Sequence, residues 1–239
     1  MPALEMSKTD SSRRDLSPDT PVSTFASSHR YFQSHPWTAE LLSAPSLCLH
    51  LPSSRHPKNS TEDSLFAVTL ASPQTLSHIL AFHTLPNRED EHINECTTLV
   101  TIGNDLNGFP KVLHGGIIMT LIDEAMGVLL NVDLDRKHFK EVAVGKKDGE
   151  WAEQLDLYTA KLDTKFIKPV ETPGVVAIKV KTTKREGRKI ELVAEVVQWR
   201  NVTSRGDGMG WSYGQGEGEE VVCATGVSVF VRPRAGAKL

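Results

Sequence analysis

Leu113–Gly127, which reads LHGGIIMTLIDEAMG, is the stretch on which the fold turns. From Gly115 to Asn131 the pattern is apolar almost all round, with Ile118, Ile122, Ala125 and Leu129 on one stripe and Ile117, Leu121 and Val128 beside it. A helix patterned in this way is enclosed by other elements instead of lying on a surface. A His and two glycines stand at its start, and an acid, Asp123, lies inside it, where burial without a partner is costly. Thr120 at i−3 and Gly127 at i+4 are both small, so a pocket has room to open beside that acid.

The runs that follow have the period of two that a strand imposes. Leu157–Ile167, Val175–Thr183, Ile190–Trp199 and Val221–Val231 each alternate over part of their length. The last is the clearest, with Val221, Cys223, Thr225, Val227, Val229 and Val231 on one face. Lys184–Arg188 (KREGR) reads as a hairpin turn, and Arg205–Glu219 as a long Gly-rich hairpin loop. Upstream of the helix, Thr97–Gly103 reads as a strand and Asn104–Pro110 as a turn region. The expected class is therefore α+β, an antiparallel sheet wrapped around one central helix.

The N-terminal part is patterned more weakly. Met1–Ser28 is rich in Ser, Thr, Pro and Asp and reads as a disordered leader. Pro36–Ser43 reads as a short helix with Ser34 or His35 at its N-cap. Pro52–Asp63 reads as a loop, Leu65–Ala71 (LFAVTLA) as a first strand, and Thr75–His83 as a second short helix. The expected organisation is a leader over 1–28, an N-terminal extension of helices, loops and a first strand over 29–95, the main domain over 96–232, and a tail over 233–239.

Gly115 and Gly116 carry backbone N–H groups at a helix N-terminus, where unpaired donors and the positive end of the dipole favour negative charge developing on an oxygen. HGG with an acid 9 residues past His114 resembles the hotdog-fold acyl-CoA thioesterases of the phenylacetyl-CoA thioesterase type. The DEAMG ending is similar, as is YTAKLDTKFIKPV over Tyr158–Val170, and the resemblance covers roughly Thr97–Arg232. It implies a hotdog fold, a homodimer or homotetramer, and hydrolysis of an acyl-CoA or acyl-carrier thioester. It implies no cofactor beyond the coenzyme A of the substrate.

Carried over residue by residue, the resemblance makes Asp123 the nucleophile or general base and the Gly115 N–H the group that polarises the thioester carbonyl. His114 orients substrate or water, Asn107 supplies an upstream side-chain amide, and Thr159 reaches the acid across the dimer interface. Gly116 joins the substrate-binding groups. Lys184, Arg185 and Arg188 stand ready for the phosphates of coenzyme A, with a solvated turn as their plainer reading. Glu124 points about 100° away from Asp123 around the helix, which makes it a structural residue or a second choice for the acid. Two segments depart from the family pattern: a polar stretch over Asp133–Asp156 and the Arg205–Glu219 loop. The alternatives are a hotdog hydratase or dehydratase using the same pocket, and a non-catalytic protein that binds acyl chains or a partner.

Composition narrows the classes. The 239 residues are 39% apolar and 24% charged, and the net charge of −3 provides no basic field for nucleic acid or an anionic membrane. The longest apolar stretch, Ile117–Val132, is broken by Asp123 and Glu124 and falls short of the roughly 20 residues of a membrane span. The N-terminus carries Glu5, Asp10, Asp15 and Asp19 and no apolar signal region, so the cytoplasm is expected and a mitochondrial location stays open. Three unpaired cysteines fit a reducing compartment, and Cys223 reads as a small core residue.

Three short motifs have the wrong surroundings. Gly210–Gly214 satisfies GxSxG but is followed by QGEGEE instead of a helix, and the last histidine, His138, precedes it. Arg205–Asp207 and the sequons at Asn59 and Asn201 lack a secretory setting. Nine histidines include no HExxH and no Cys/His group at ligand spacing along the chain, so no metal is expected.

Overall fold

The helix that starts at Gly115 is longer than its apolar run: α3 (Gly115–Ala143) spans 29 residues, about 44 Å at the α-helical rise. Ile118, Ile122, Ala125 and Leu129 are all buried, and Leu121 and Val128 beside them are buried too. A computed structural model describes residues 23–88, 91–146, 157–201 and 218–234.

α3 lies against one face of a seven-stranded antiparallel sheet. In chain order its strands are β1 (Leu47–His50), β2 (Ile79–Thr84), β3 (Glu95–Ile102), β6 (Tyr158–Phe166), β7 (Gly174–Glu186), β8 (Lys189–Asn201) and β9 (Gly218–Val231), arranged β1-β2-β3-β7-β8-β9-β6. A separate two-stranded ribbon, β4 (Asn107–Phe109) with β5 (Val112–Leu113), delivers the chain to the helix. This is the hotdog arrangement that the α+β expectation named. On β9, Gly226 permits the close approach of sheet to helix, because a Cβ there would sit 2.7 Å from Ile122 Cγ2. Cys223 is fully buried on the same strand, as expected.

The other face of the sheet is covered as well. α1 (Phe25–Gln33) and α2 (Pro36–Leu41) place Phe32, Trp37 and Leu42 on Leu80, Phe82 and Leu99. The helix expected over Thr75–His83 is instead strand β2. Ile79 and Ala81 join the α3 core while Leu80 and Phe82 join the α1/α2 core, so burial on both faces removes the alternation that marks a half-covered strand. The strand expected over Leu65–Ala71 is a short helical turn, Leu65–Thr69, with only Phe66 and Ala67 of it buried.

Three boundaries change. Residues 25–28 of the expected leader belong to α1, which opens on a reciprocal cap: Thr24 Oγ1 accepts from the Ser27 N–H at 3.2 Å and Ser27 Oγ from the Thr24 N–H at 2.9 Å. The 29–95 extension supplies two strands of the sheet, β1 and β2, and is continuous with the main domain. The polar stretch expected from Asp133 is helical as far as Ala143. There Asp133 is buried, accepting from the Ile93 N–H at 2.9 Å and pairing with His92 Nδ1 at 2.6 Å and Arg185 Nη2 at 3.4 Å. Burial pushes its carboxyl up, but His92, the Ile93 N–H and Lys137 together hold it below the usual range.

Residues 1–22, most of the expected Arg205–Glu219 loop with its GxSxG and Arg-Gly-Asp motifs, residues 147–156 of the polar stretch, and 235–239 lie outside the described residues. Among the described residues no helix is long and apolar enough to cross a membrane.

Candidate active site

His114 is the N-cap of α3, and its Nδ1 accepts from the Gly116 N–H at 2.9 Å. In the neutral ring that bond leaves the proton on Nε2. It also engages one of the two glycine donors expected to be bare. The His114 carbonyl accepts from Ile117 and Ile118, so the Gly115 N–H is the donor without an acceptor among the described residues. A Cβ at position 115 would meet the Phe166 ring at 3.4 Å; glycine keeps that narrow space open. Upstream, Thr172 Oγ1 donates to Asn107 Oδ1, which leaves the Asn107 NH₂ group as the part that can face a ligand.

Asp123 is half-buried on α3. Thr159 Oγ1, on strand β6, donates to Asp123 Oδ1 at 2.7 Å within the same chain, not across an interface as expected. Asp123 Oδ2 accepts no hydrogen bond among the described residues, so one carboxylate oxygen is positioned and the other is available. Thr120, expected to flank a pocket, is tied back to the Gly116 carbonyl at 2.9 Å.

Gly115 and Asp123 do not meet on one carbonyl within a chain. Eight helical steps at 1.5 Å separate them by about 12 Å along α3, whereas each would have to stand about 3 Å from the reacting group. The sequence spacing suggests a partnership that the helix itself prevents.

Glu124 turns inward. Its carboxyl accepts from Ser54 Oγ and borders a small cavity walled by Phe66, Ile79, Val100, Leu121 and Ile178. Burial pushes it up to about 7, Asp63 and Asp123 add to that, and the Ser54 hydrogen bond and Arg55 oppose it. The folded chain therefore holds a proton between pH 4.5 and about 7 that the unfolded chain has released. The stability this contributes is fully present below 4.5 and is lost as pH rises through about 7. Relative to wild type, Glu124→Gln is expected to gain stability steadily over that window, by up to about 3 kcal/mol near pH 8. Urea unfolding at about pH 4.5, 6 and 8 checks this, and a mutant-to-wild-type difference that does not change with pH refutes it.

A cavity of about 910 Å³ opens one helical turn beyond Asp123, between α3 and β1 with the loop after it. Gly127 and Asn131 of α3, Leu51 and Ser53 of the loop, and Leu157 and Phe230 line it. Nothing lies within 4 Å of a Cβ built at Gly127, so the helix leaves space there, as its small residue suggests. The basic hairpin does not converge on this region. Lys184 pairs with Glu186 at 2.6 Å, Arg188 Nη1 donates to the Arg232 carbonyl at 2.7 Å, and Arg185 pairs with Asp133, ten residues along α3 from Asp123.

A ligand-type group that chain spacing conceals does form. His50, His83 and Cys96 come from three different strands, and their donor atoms lie within 4.8 Å of one another. The separations along the chain, 33 and 13 residues, match no metal motif; only strand register would reveal the cluster.

Residues 110–202 match the model of the thioesterase superfamily. Verlamelin biosynthesis protein B of a Lecanicillium species is 29% identical over 131 residues, covering 48% of this chain and 55% of that protein. An uncharacterized protein of Schizosaccharomyces pombe is 29% identical over 132 residues, covering 54% of this chain and 55% of its own length. The chain thus spans about half the length of the curated relatives it matches. Among solved structures, the Escherichia coli PaaI protein from the phenylacetic acid degradation operon has 11% identity and a TM-score of 0.39, covering 59% of this chain and 73% of that one. An acyl-CoA hydrolase of Staphylococcus aureus in complex with butyryl coenzyme A has 14% identity and a TM-score of 0.40, with 60% and 68% covered.

Proposed function

We propose that this chain, whose residues 110–202 match the thioesterase superfamily, hydrolyses the thioester of an acyl-CoA or acyl-carrier substrate to a free acid and a thiol. The observation that carries this reading is the state of Asp123: a half-buried carboxylate with one oxygen held by Thr159 at 2.7 Å and the other uncommitted. A carboxylate prepared in that way can attack an acyl carbon or take a proton from water. The Gly115 N–H, bare at the start of α3, is the donor for the negative charge that then develops on the carbonyl oxygen.

Because about 12 Å separates those two groups along α3, a complete site takes Asp123 from one copy and the Gly115 end of α3 from another. Phe109, Phe166 and Ile167 favour such a homodimer: they are exposed large apolar side chains, Phe166 beside Gly115 itself. In the reaction, water attacks the acyl carbon as Asp123 takes its proton, forming a tetrahedral oxyanion facing the Gly115 N–H, and its collapse expels the thiolate, which is protonated to the thiol. Where Asp123 itself attacks, the anhydride left after the thiolate departs is hydrolysed by water to the free acid. His114, with its proton on Nε2, stands at the same helix end to orient substrate or water. The acyl arm has the space beside Gly127 and the cavity beyond it.

The test is free-thiol release by the purified chain over short, long and aryl acyl-CoAs and an acyl-carrier substrate, with mass measured in solution alongside. Turnover of at least one of them by a dimer or tetramer is expected. Hydration of an enoyl-CoA without thiol release, or binding without any turnover, overturns the hydrolytic reading.

A further inference from the structure

Strands β1, β2 and β3 are antiparallel neighbours at one end of the sheet. Their register pairs Cys48 with His83, His50 with Ala81, and Phe82 with Thr97. One further step of the β2–β3 register sets His83 opposite Cys96. His83 shares the α3-facing side of β2 with Ile79 and Ala81, Cys96 shares that side of β3 with Val100, and His50 lies diagonal to His83 on β1.

Two ring nitrogens of this group lack partners, while His50 keeps a backbone hydrogen bond with Cys48. His50 Nε2 and His83 Nδ1 are buried and make no hydrogen bond. Cys96 Sγ has a long contact of 4.0 Å to the Thr97 carbonyl and a backbone hydrogen bond from Phe82. Buried ring nitrogens left unsatisfied are destabilising, and two of them beside a buried thiol call for an explanation.

We propose that His50, His83 and Cys96 form a site for one divalent transition-metal ion, with Zn²⁺ the best fit. Two imidazoles and a thiolate suit a borderline-soft ion and do not suit Mg²⁺ or Ca²⁺, which take oxygen ligands. Ligand atoms around tetrahedral zinc stand about 3.6 Å apart at the usual bond lengths, so donors within 4.8 Å close on the ion by side-chain movements of up to about 1 Å. Binding exchanges the Cys96 S–H bond for a metal–sulfur bond and passes that proton to solvent. His50 and His83 line the 910 Å³ cavity while Cys96 is buried beneath them, so the fourth coordination position opens toward the cavity, for water or an entering ligand. Arg136, the cation whose field reaches His83, is held by the Glu91 and Arg88 carbonyls.

The test of this site does not use activity, so its failure and the failure of the hydrolytic reading are distinguishable. The untagged full chain, stripped with a chelator, is titrated with Co²⁺ and then with Zn²⁺ against a chromogenic competitor. One ion per chain is expected, with a thiolate-to-cobalt charge-transfer band and tetrahedral ligand-field bands. Cys96→Ser is expected to abolish the charge-transfer band and weaken Zn²⁺ binding by about 100-fold or more, and His83→Gln to weaken it similarly. Cys48→Ser, on the same face, is expected to keep both band and affinity. Absence of the band in wild type overturns the proposal whatever the variants do. So does a band that disappears with Cys48, or Zn²⁺ binding that survives both Cys96→Ser and His83→Gln in chains that retain the wild-type circular dichroism spectrum.

Discussion

Asp123→Asn is expected to lower kcat/KM for thiol release by about 10³-fold or more, the range for removing a general base or nucleophile, with the fold and the solution mass unchanged. The amide is isosteric with the carboxylate, and its oxygen still accepts from Thr159 Oγ1, so the 2.7 Å contact survives. What disappears is the negative charge and the lone pair that takes a proton or attacks carbon. The loss should therefore fall on kcat, with KM little changed, because the Gly115 helix end and the cavity beside Gly127 are untouched. Glu124→Gln is the internal comparison. Glu124 is turned toward the core and engaged by Ser54, so removing its charge should alter the pH dependence of stability and leave turnover near the wild-type value. If the two variants exchange roles, with Glu124→Gln inactive and Asp123→Asn active, the acid is the wrong one.

His114, Gly115 and Asp123 are legible in the sequence because they belong to one helix, whose apolar pattern is continuous enough to be read without its neighbours. Strand β9 is legible as a strand from its alternation, but its inward face is not: Cys223 is buried while Val227 of the same expected face is exposed, and Ala224, Ser228 and Phe230 turn inward instead. Legibility fails where tertiary packing decides. β2 presents Leu80 and Phe82 to one core and Ile79 and Ala81 to another, so a strand reads as an apolar run of undefined type. α1 is concealed in a Ser-rich segment because its stability comes from the Thr24–Ser27 cap and the burial of Phe32, not from periodicity. The spacing of Gly115 and Asp123 misleads in the opposite direction. It reads as one site along the chain, but helical rise sets the two groups about 12 Å apart along the same rod. The His50, His83 and Cys96 group exists only through strand register, which composition and spacing do not encode.

The residue least visible in the sequence is expected to have the largest effect on stability. Arg55 lies in a stretch that reads as a loop, yet it is 1% exposed. Its guanidinium ties three separate segments together: Nη1 donates to the Phe66 carbonyl at 2.7 Å, and Nη2 to the Leu76 carbonyl at 2.8 Å and to Ser23 Oγ at 3.2 Å. Burial lowers its pKa to about 10, with Glu124 opposing the shift, so the group is charged at neutral pH. Arg55→Ala would leave two buried carbonyls without donors, at about 1–3 kcal/mol each, and a cavity where the side chain packed. The expected loss is about 3–5 kcal/mol, against a total stability of roughly 5–15 kcal/mol for a domain. Arg55→Lys should recover only part of it, since one ammonium does not reproduce a planar fork that donates in two directions. Denaturant unfolding gives the magnitude, and hydrogen exchange locates it. Protection should fall first over residues 52–76, which hold Ser54 against Glu124 and form one wall of the cavity, while α3 and its sheet keep theirs. A variant within about 0.5 kcal/mol of wild type would mean that the three segments are held by their apolar contacts alone, and that the buried guanidinium is replaceable.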